Sequence, residues 1–342
     1  MSAVTVLFAT HEAYLDHLAG RDHPERPERL GAVIDGLHDA HIADGVVALE
    51  PRVAQRSELL RVHPATYLDR IEDICRSGGG RLDADTRVSS GSWDAACRAA
   101  GAGLAAVEAL QRGEAGASAA FCAVRPPGHH ATSNQSMGFC VISNVAVAAA
   151  HLAAQGERVM IVDFDAHHGN GTQEIFYTDP RVLFVSFHQW PLYPGTGSAR
   201  EVGEGDAVGA TLNLPLPPFT TGDRYLAAID GVVSRVAERF GPTWLIVSAG
   251  FDAHRNDPIT DLGLSAGDYH LITERLMQFA PPGRRLVMLE GGYDLDALRL
   301  SSAATTAALL GRTYQPETPT GGGPGEHVGD DVARFWSEHG LL

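Results

Sequence analysis

Val159-Met-Ile-Val-Asp163-Phe-Asp165-Ala-His167-His168-Gly-Asn170-Gly171 is the stretch that decides how this chain is read. Its apolar run is too short for a helix and breaks into aspartates, histidines and glycines. Such a run, closed by Gly, reads as a strand buried in a parallel sheet. Four other runs end the same way. Ala119–Val124 leads into Arg125-Pro-Pro-Gly-His129-His130, and Val182–Phe187 into His188. Trp244–Val247 leads into Ser248-Ala-Gly-Phe-Asp252-Ala-His254, and Leu286–Leu289 into Glu290-Gly-Gly-Tyr293. Helical stretches lie between these runs. Ligands of open parallel sheets gather at the carboxyl ends of the strands, so the five segments are expected to converge on one site.

The composition, 44% hydrophobic and 20% charged over 342 residues, suits a globular enzyme with a large core. Strand–helix alternation runs from Val4 to about Leu310 without a linker, which implies a single α/β domain. A net charge of −16 argues against non-specific nucleic-acid binding, which needs a basic face. It is compatible with weak steering of a cationic substrate. The four cysteines, Cys75, Cys97, Cys122 and Cys140, form no C-x-x-C pair; Cys122 and Cys140, in apolar surroundings, suit buried free thiols, and a disulfide framework is not expected. The start, Met1 to Phe8, reads as a first strand rather than a leader, and no run reaches membrane-spanning length. A reducing cytoplasm is the expected location.

Along the chain, apolar residues at helical spacing follow the loop His23-Pro-Glu-Arg-Pro-Glu-Arg29. Residues 64–75, 92–110, 139–154, 222–240, 266–279 and 294–310 are expected to be helical, and 81–91 to be a turn-rich polar loop. Residues 1–312 are read as the catalytic domain. Residues 313–342 are read as a tail whose Pro/Gly-rich part, Thr313–Gly325, looks loose and whose end, Asp330–His339, forms a short docked helix.

Asp165 and His167, two apart in an extended segment, point the same way. Two ligands do not close a catalytic site, which takes three and leaves one position open. Asp252, ending another strand, is the natural third. Two carboxylates and an imidazole suit zinc, but also Fe(II), Co(II) or Mn(II). Carboxylates at the ends of apolar strands need partners, because burial is costly without them.

The strings Pro-Pro-Gly-His129-His130, Asp163-Phe-Asp165-Ala-His167-His168-Gly-Asn170-Gly, Ala249-Gly-Phe-Asp252-Ala-His and Glu290-Gly-Gly-Tyr293 resemble the zinc-dependent histone deacetylase family. That family includes the bacterial histone-deacetylase-like amidohydrolases and the acetylpolyamine amidohydrolases. The resemblance extends from about His23 to Leu300. It implies the arginase/deacetylase fold, a mostly parallel sheet of about eight strands with helices on both faces. It implies zinc, replaceable by Fe2+ or Co2+, on Asp165, His167 and Asp252. It also implies a structural potassium ion held by Asp163, Ser186 and the backbone carbonyls of Asp165, His167 and Phe187.

By the same resemblance His129 pairs with Asp163 and His130 with Asn170. A carboxylate partner stabilises imidazolium more than an amide does. His130 is therefore the expected general base and His129 an electrostatic support. Asn170, where many members carry Asp, resembles the class II and bacterial branch. Tyr293, after two glycines that would let its loop move, is placed to hydrogen-bond the developing oxyanion. Gly138, Phe139 and Tyr193 resemble the walls of the family's acyl-lysine tunnel, with Tyr193 standing where many relatives have Phe. Asp85 is a rim candidate. His168 is expected to pack behind the metal loop, and His188 and His254 to be satisfied loop histidines.

Ile259 occupies the position that resembles the family's rim gatekeeper. An apolar residue there favours peptide-borne acetyl-lysine, whereas a carboxylate would favour a cationic polyamine tail. The 23–29 loop lacks the insert that narrows polyamine-selective relatives. The expected activity is thus removal of acetyl groups from acetyl-lysine, with acetylpolyamine hydrolysis as the alternative. A two-metal ureohydrolase would want a further Asp after His167, where this chain has His168-Gly-Asn170. A non-catalytic acyl-ligand binder would be expected to have lost a ligand, a cleft His or the Tyr. Homo-oligomerisation is left open.

Overall fold

The computed structural model describes residues 4–342. Its strands are β1 (Val6–Ala9), β2 (Val46–Leu49), β3 (Gly79–Arg81), β4 (Arg87–Ser89), β5 (Ala119–Cys122), β6 (Val159–Asp163), β7 (Val182–Gln189), β8 (Thr211–Leu216), β9 (Trp244–Ala249) and β10 (Arg285–Leu289). Eight of them form one sheet in the order β2-β1-β5-β10-β9-β6-β7-β8. Each of its pairings is parallel. The central strands β5, β6, β7 and β9 are buried along their whole length. That burial is why they read as unbroken apolar runs rather than alternating ones.

Helices Ser92–Gln111 and Asn144–Ala154 pack on each other and on β5, β6, β9 and β10. Helices Glu28–Asp39, Ala266–Leu276 and Leu295–Leu309 pack together, with Leu276 and Leu309 beside Leu245 and Val247 of β9. The result is the single-domain α/β fold expected of the arginase/deacetylase type.

Several local expectations change. Met1–Ala3 lie outside the described residues, and the first strand begins at Val6. The helix expected over 139–154 starts only at Asn144. Phe139 has φ +67° and so leaves helical space, and with Gly138 it lines the site. The polar 81–91 stretch contributes to an antiparallel hairpin of β3 and β4. Residues 222–240 form helical turns with a π segment at Ile229–Val233.

The stretch expected to be loose is tied down. Glu317 accepts the Ala266 N–H at 2.8 Å and pairs with His254 at 2.7 Å, while the Thr320 N–H and hydroxyl both donate to Asp268. Beyond it, helix Val328–Glu338 buries Val332 and Trp336 against β8 and the π segment. No helix among the described residues is long and apolar enough to cross a membrane. The four cysteines are buried free thiols.

Candidate active site

The carboxyl ends of β6, β7 and β9 lie side by side, with Asp163 in register with Ser186 on one side and Ser248 on the other. Just past that edge the chain turns sharply and brings Asp165, His167 and Asp252 together. Their donor atoms all lie within 4.8 Å of one another, and all three residues are buried. His167 Nδ1 stands 3.1 Å from Asp165 Oδ1 and 3.1 Å from Asp252 Oδ2. The carboxylates are fixed by backbone donors. Asp165 accepts the N–H groups of His167 and Gly291, each at 2.9 Å, and Asp252 accepts that of Ala166 at 2.8 Å. Glycine is required around them: a Cβ on Gly291 would come within 2.2 Å of Asp252 Oδ2, and one on Gly250 within 1.9 Å of Asp165 Oδ2.

This donor set fits a divalent cation. Burial opposes charge on His167, but its hydrogen bonds to Asp165 and Asp252 prevail and push its imidazole up to about 10. Without an ion, a proton therefore sits between two carboxylates, where a cation would be held by the same atoms with the imidazole neutral.

Beside this cluster stand two neighbouring histidines with opposite electrostatics. His129 Nδ1 lies 2.9 Å from Asp163 Oδ2. Burial opposes its charge, yet Asp165 and Asp163 outweigh this and hold the imidazole well above its usual range. His130 Nδ1 lies 2.7 Å from Asn170 Oδ1, and that amide is oriented by donating its nitrogen to Met137 Sδ. Burial first, and then the neighbouring His129 and His167, hold His130 well below its usual range. The pairings expected from the resemblance are thus the pairings found.

Tyr293 is buried, and burial pushes its phenol well above its usual range, so it keeps its proton. Its loop is pinned rather than free. Asp257 accepts the Tyr293 N–H at 2.7 Å, and Arg29 donates to the Glu290 carbonyl at 2.5 Å and the Gly292 carbonyl at 2.7 Å. Arg29 is held in turn by buried Glu25, which also binds Arg125. The sequence reading missed Arg29, Glu25 and Asp257. Arg29 was visible only as the end of a charged, Pro-rich stretch, immediately before the buried Leu30 and Val33.

His130, His167 and Tyr293 form the floor of a cavity of about 300 Å³. Gly138, Phe139 and Tyr193 wall it, with Asp85, Ile259 and the previously unnoticed Leu192 around them. Tyr193 stands edge-on to His130 at 5.2 Å, and Phe139 edge-on to Tyr293 at 5.7 Å. Gly138, at φ +54°, packs so closely that a Cβ there would come 2.3 Å from the His130 ring. The Phe139 N–H donates to Thr86 Oγ1, whose hydroxyl donates to Asp85, so wall and rim are linked. Each residue expected at the metal, the acid–base pair or the wall is therefore gathered here.

Of the remaining histidines, His168 binds Thr196 and Gln173, His188 binds Ser186 and the Gly197 carbonyl, and His254 binds Glu317.

Comparison with known proteins identifies the family. The histone deacetylase domain model matches residues 23–309. A probable deacetylase of Archaeoglobus fulgidus is 42% identical over 88% of this chain and 85% of its own length. A histone deacetylase-like amidohydrolase of Pseudomonas aeruginosa is 38% identical over 86% of this chain and 78% of its own. The crystal structure of the HDA15 HD domain superposes with a TM-score of 0.90 at 34% identity, covering 99% of this chain and 96% of that one. With the domain model spanning residues 23–309 and relatives of this identity and coverage, the chain belongs to the histone deacetylase family.

Proposed function

We propose that this enzyme, a hydrolase acting on amides, removes acetyl groups from acylated amines, with Nε-acetyl-lysine in peptides as the favoured substrate. One observation carries the reading: His167, one of three clustered cation-binding donors, meets a neutral histidine and a protonated tyrosine at the floor of one mainly apolar cavity.

Asp165, His167 and Asp252 would hold one zinc ion. When bound, the ion supplies a Lewis acid that lowers the pKa of water towards about 7 and polarises an acetamide carbonyl. Nδ1–H of His130 donates to Asn170, which leaves Nε2 unprotonated to take the proton of the attacking water. The same nitrogen then gives that proton to the departing amine. His129, cationic beside Asp163, lends positive potential to the developing negative charge. The Tyr293 hydroxyl donates to the oxyanion as it forms. Phe139 and Tyr193 exclude water along the methylene chain.

Asp163 and Ser186 would help to hold a structural potassium ion together with the carbonyls of Asp165, His167 and Phe187. The buried Ser248 hydroxyl, without a partner and in register with Asp163, supports an oxygen-lined cradle there. Apolar Ile259 supports peptide-borne acetyl-lysine over polyamines, since it offers no charge partner to a cationic tail. A cytoplasmic location suits four free thiols.

The test pairs zinc analysis of the purified protein with kcat/KM on an acetyl-lysine peptide and on acetylputrescine. The peptide should be preferred, and Tyr293→Phe should lower kcat by roughly 10²–10³. A zinc-loaded protein that hydrolyses neither substrate would refute the activity, and unchanged turnover in Tyr293→Phe would refute the oxyanion role.

A further inference from the structure

Next to the three ligands' shared centre, and sharing His129 with the histidine pair, lies a second group of donors that the proposed chemistry does not use as such. It joins His129, Cys140 and Glu290, whose ligand atoms also lie within 4.8 Å of one another, all of them buried. Glu290 is fully buried. One of its oxygens accepts the N–H groups of Gly128 at 2.6 Å and His129 at 3.1 Å, while the other, Oε1, has no hydrogen-bond partner. A buried carboxylate oxygen left unpaired is costly and calls for an occupant. Cys140 Sγ meets the backbone N–H groups of His130, at 3.4 Å, and Ala131, weak contacts for a sulfur acceptor. His129 is oriented as metal-binding histidines usually are, with one ring nitrogen fixed by a carboxylate, here Asp163, and the other left to ligate.

The geometry points to a second cation site at His129, Cys140 and Glu290, selective for thiophilic divalent ions such as Zn2+ and Cd2+, whose filling inhibits the enzyme. Thiolate with imidazole favours such ions, whereas Mg2+ and Ca2+ take oxygen donors. Binding forms a metal–sulfur bond and a bond to His129 Nε2, and releases to solvent the Cys140 thiol proton and the Nε2 proton of the His129 imidazolium. In the ion-free protein burial holds that thiol well above its usual range and lifts the Glu290 carboxyl to about 7, so the cation replaces protons already stored there. Inhibition follows because the ion captures the His129 ring, which lies 3.7 Å from the ligand Asp165 and would otherwise support the reaction. That last step rests on the deacetylase reading; the binding does not.

The experiment adds Cd2+ to zinc-loaded enzyme and follows three readouts: bound cadmium after dialysis, the ultraviolet thiolate-to-cadmium charge-transfer band, and turnover. The wild type should take up cadmium beyond its zinc, develop the band and lose activity in parallel. Cys140→Ser, which keeps an acceptor for the His130 N–H, should retain basal activity and its zinc but lose the band and the inhibition. Glu290→Gln, which still accepts the two backbone N–H groups, should bind the added cadmium at least about tenfold more weakly. The site is disproved if no extra cadmium binds, or if the band persists in Cys140→Ser, where it would come from another thiol. Binding with undiminished turnover overturns the inhibitory role. A protein with no turnover at all sinks the deacetylase reading, while the cadmium band still decides the site.

Discussion

The floor of the active site and its rim are built on opposite principles. At the floor, Asp163, Asp165 and Asp252 leave the ends of adjacent strands β6 and β9 and are wholly buried, and each carboxylate is held by backbone N–H groups. At the rim, Asp85, Leu192, Tyr193 and Ile259 sit on loops, and Tyr193 is 38% exposed. In the proposed reading, bond-breaking geometry is thus anchored in the sheet, where a shift of a side chain would disturb packed neighbours. By the same reading, substrate choice is left to segments that can vary at little cost to the core.

The hardest test of that contrast removes a floor ligand. Asp252→Ala leaves His167 one carboxylate partner and opens the cradle beside Gly291. Losing a direct ligand should cost more than the 10- to 100-fold in metal affinity typical of outer-shell changes. Zinc content after dialysis and turnover should collapse together. Retention of both would place the metal, and the chemistry, elsewhere.

A rim change should act on choice alone. Ile259→Glu puts a carboxylate at a half-buried mouth position, where a pair with a cationic tail is partly screened. The ratio of kcat/KM for acetylputrescine over the acetyl-lysine peptide should rise on the order of tenfold, with zinc content unchanged. An equal loss on both substrates would mean that the rim also supports the floor, and the contrast would fail.

How much of this was legible follows the same division. Strands β5, β6, β7, β9 and β10 could be read because burial on both faces leaves continuous apolar runs, and their ends carry chemistry that apolar segments otherwise avoid. Strand β2 is an edge strand with half-exposed residues, and β8 carries Pro215, so neither leaves that signature. The Asp165–His167–Asp252 cluster and the histidine pair were legible because their residue types are costly to bury without a purpose. Arg29 and Asp257 were not, because they act through backbone carbonyls and N–H groups that no residue type announces. Phe139 looked like the start of an apolar helix. Its positive φ is imposed by the packing of the wall, which lies outside any local pattern.

The smallest effect concerns the support of that wall. His63 is 1% exposed, and its Nε2 accepts the Ser143 N–H at 3.0 Å while Nδ1–H donates to the Ser133 carbonyl at 3.0 Å. It therefore clamps both ends of the segment that carries Gly138 and Phe139. Burial lowers its pKa from 6.5 to about 4. Between those values the unfolded chain binds the proton and the native one does not, so stability must fall as pH drops through that window. The full difference is worth roughly 3 kcal/mol, reached only near the acid end. Protonation would also turn the acceptor Nε2 into a donor facing the Ser143 N–H, so the loss should begin in this segment. Melting temperature measured from pH 7 to 4 should decline more steeply in the wild type than in His63→Gln, which cannot titrate. Hydrogen exchange should show residues 133–143 opening before β6 and β9 do. Parallel pH profiles would remove His63 from the account, and simultaneous opening of wall and sheet would mean that the wall is no softer than the floor.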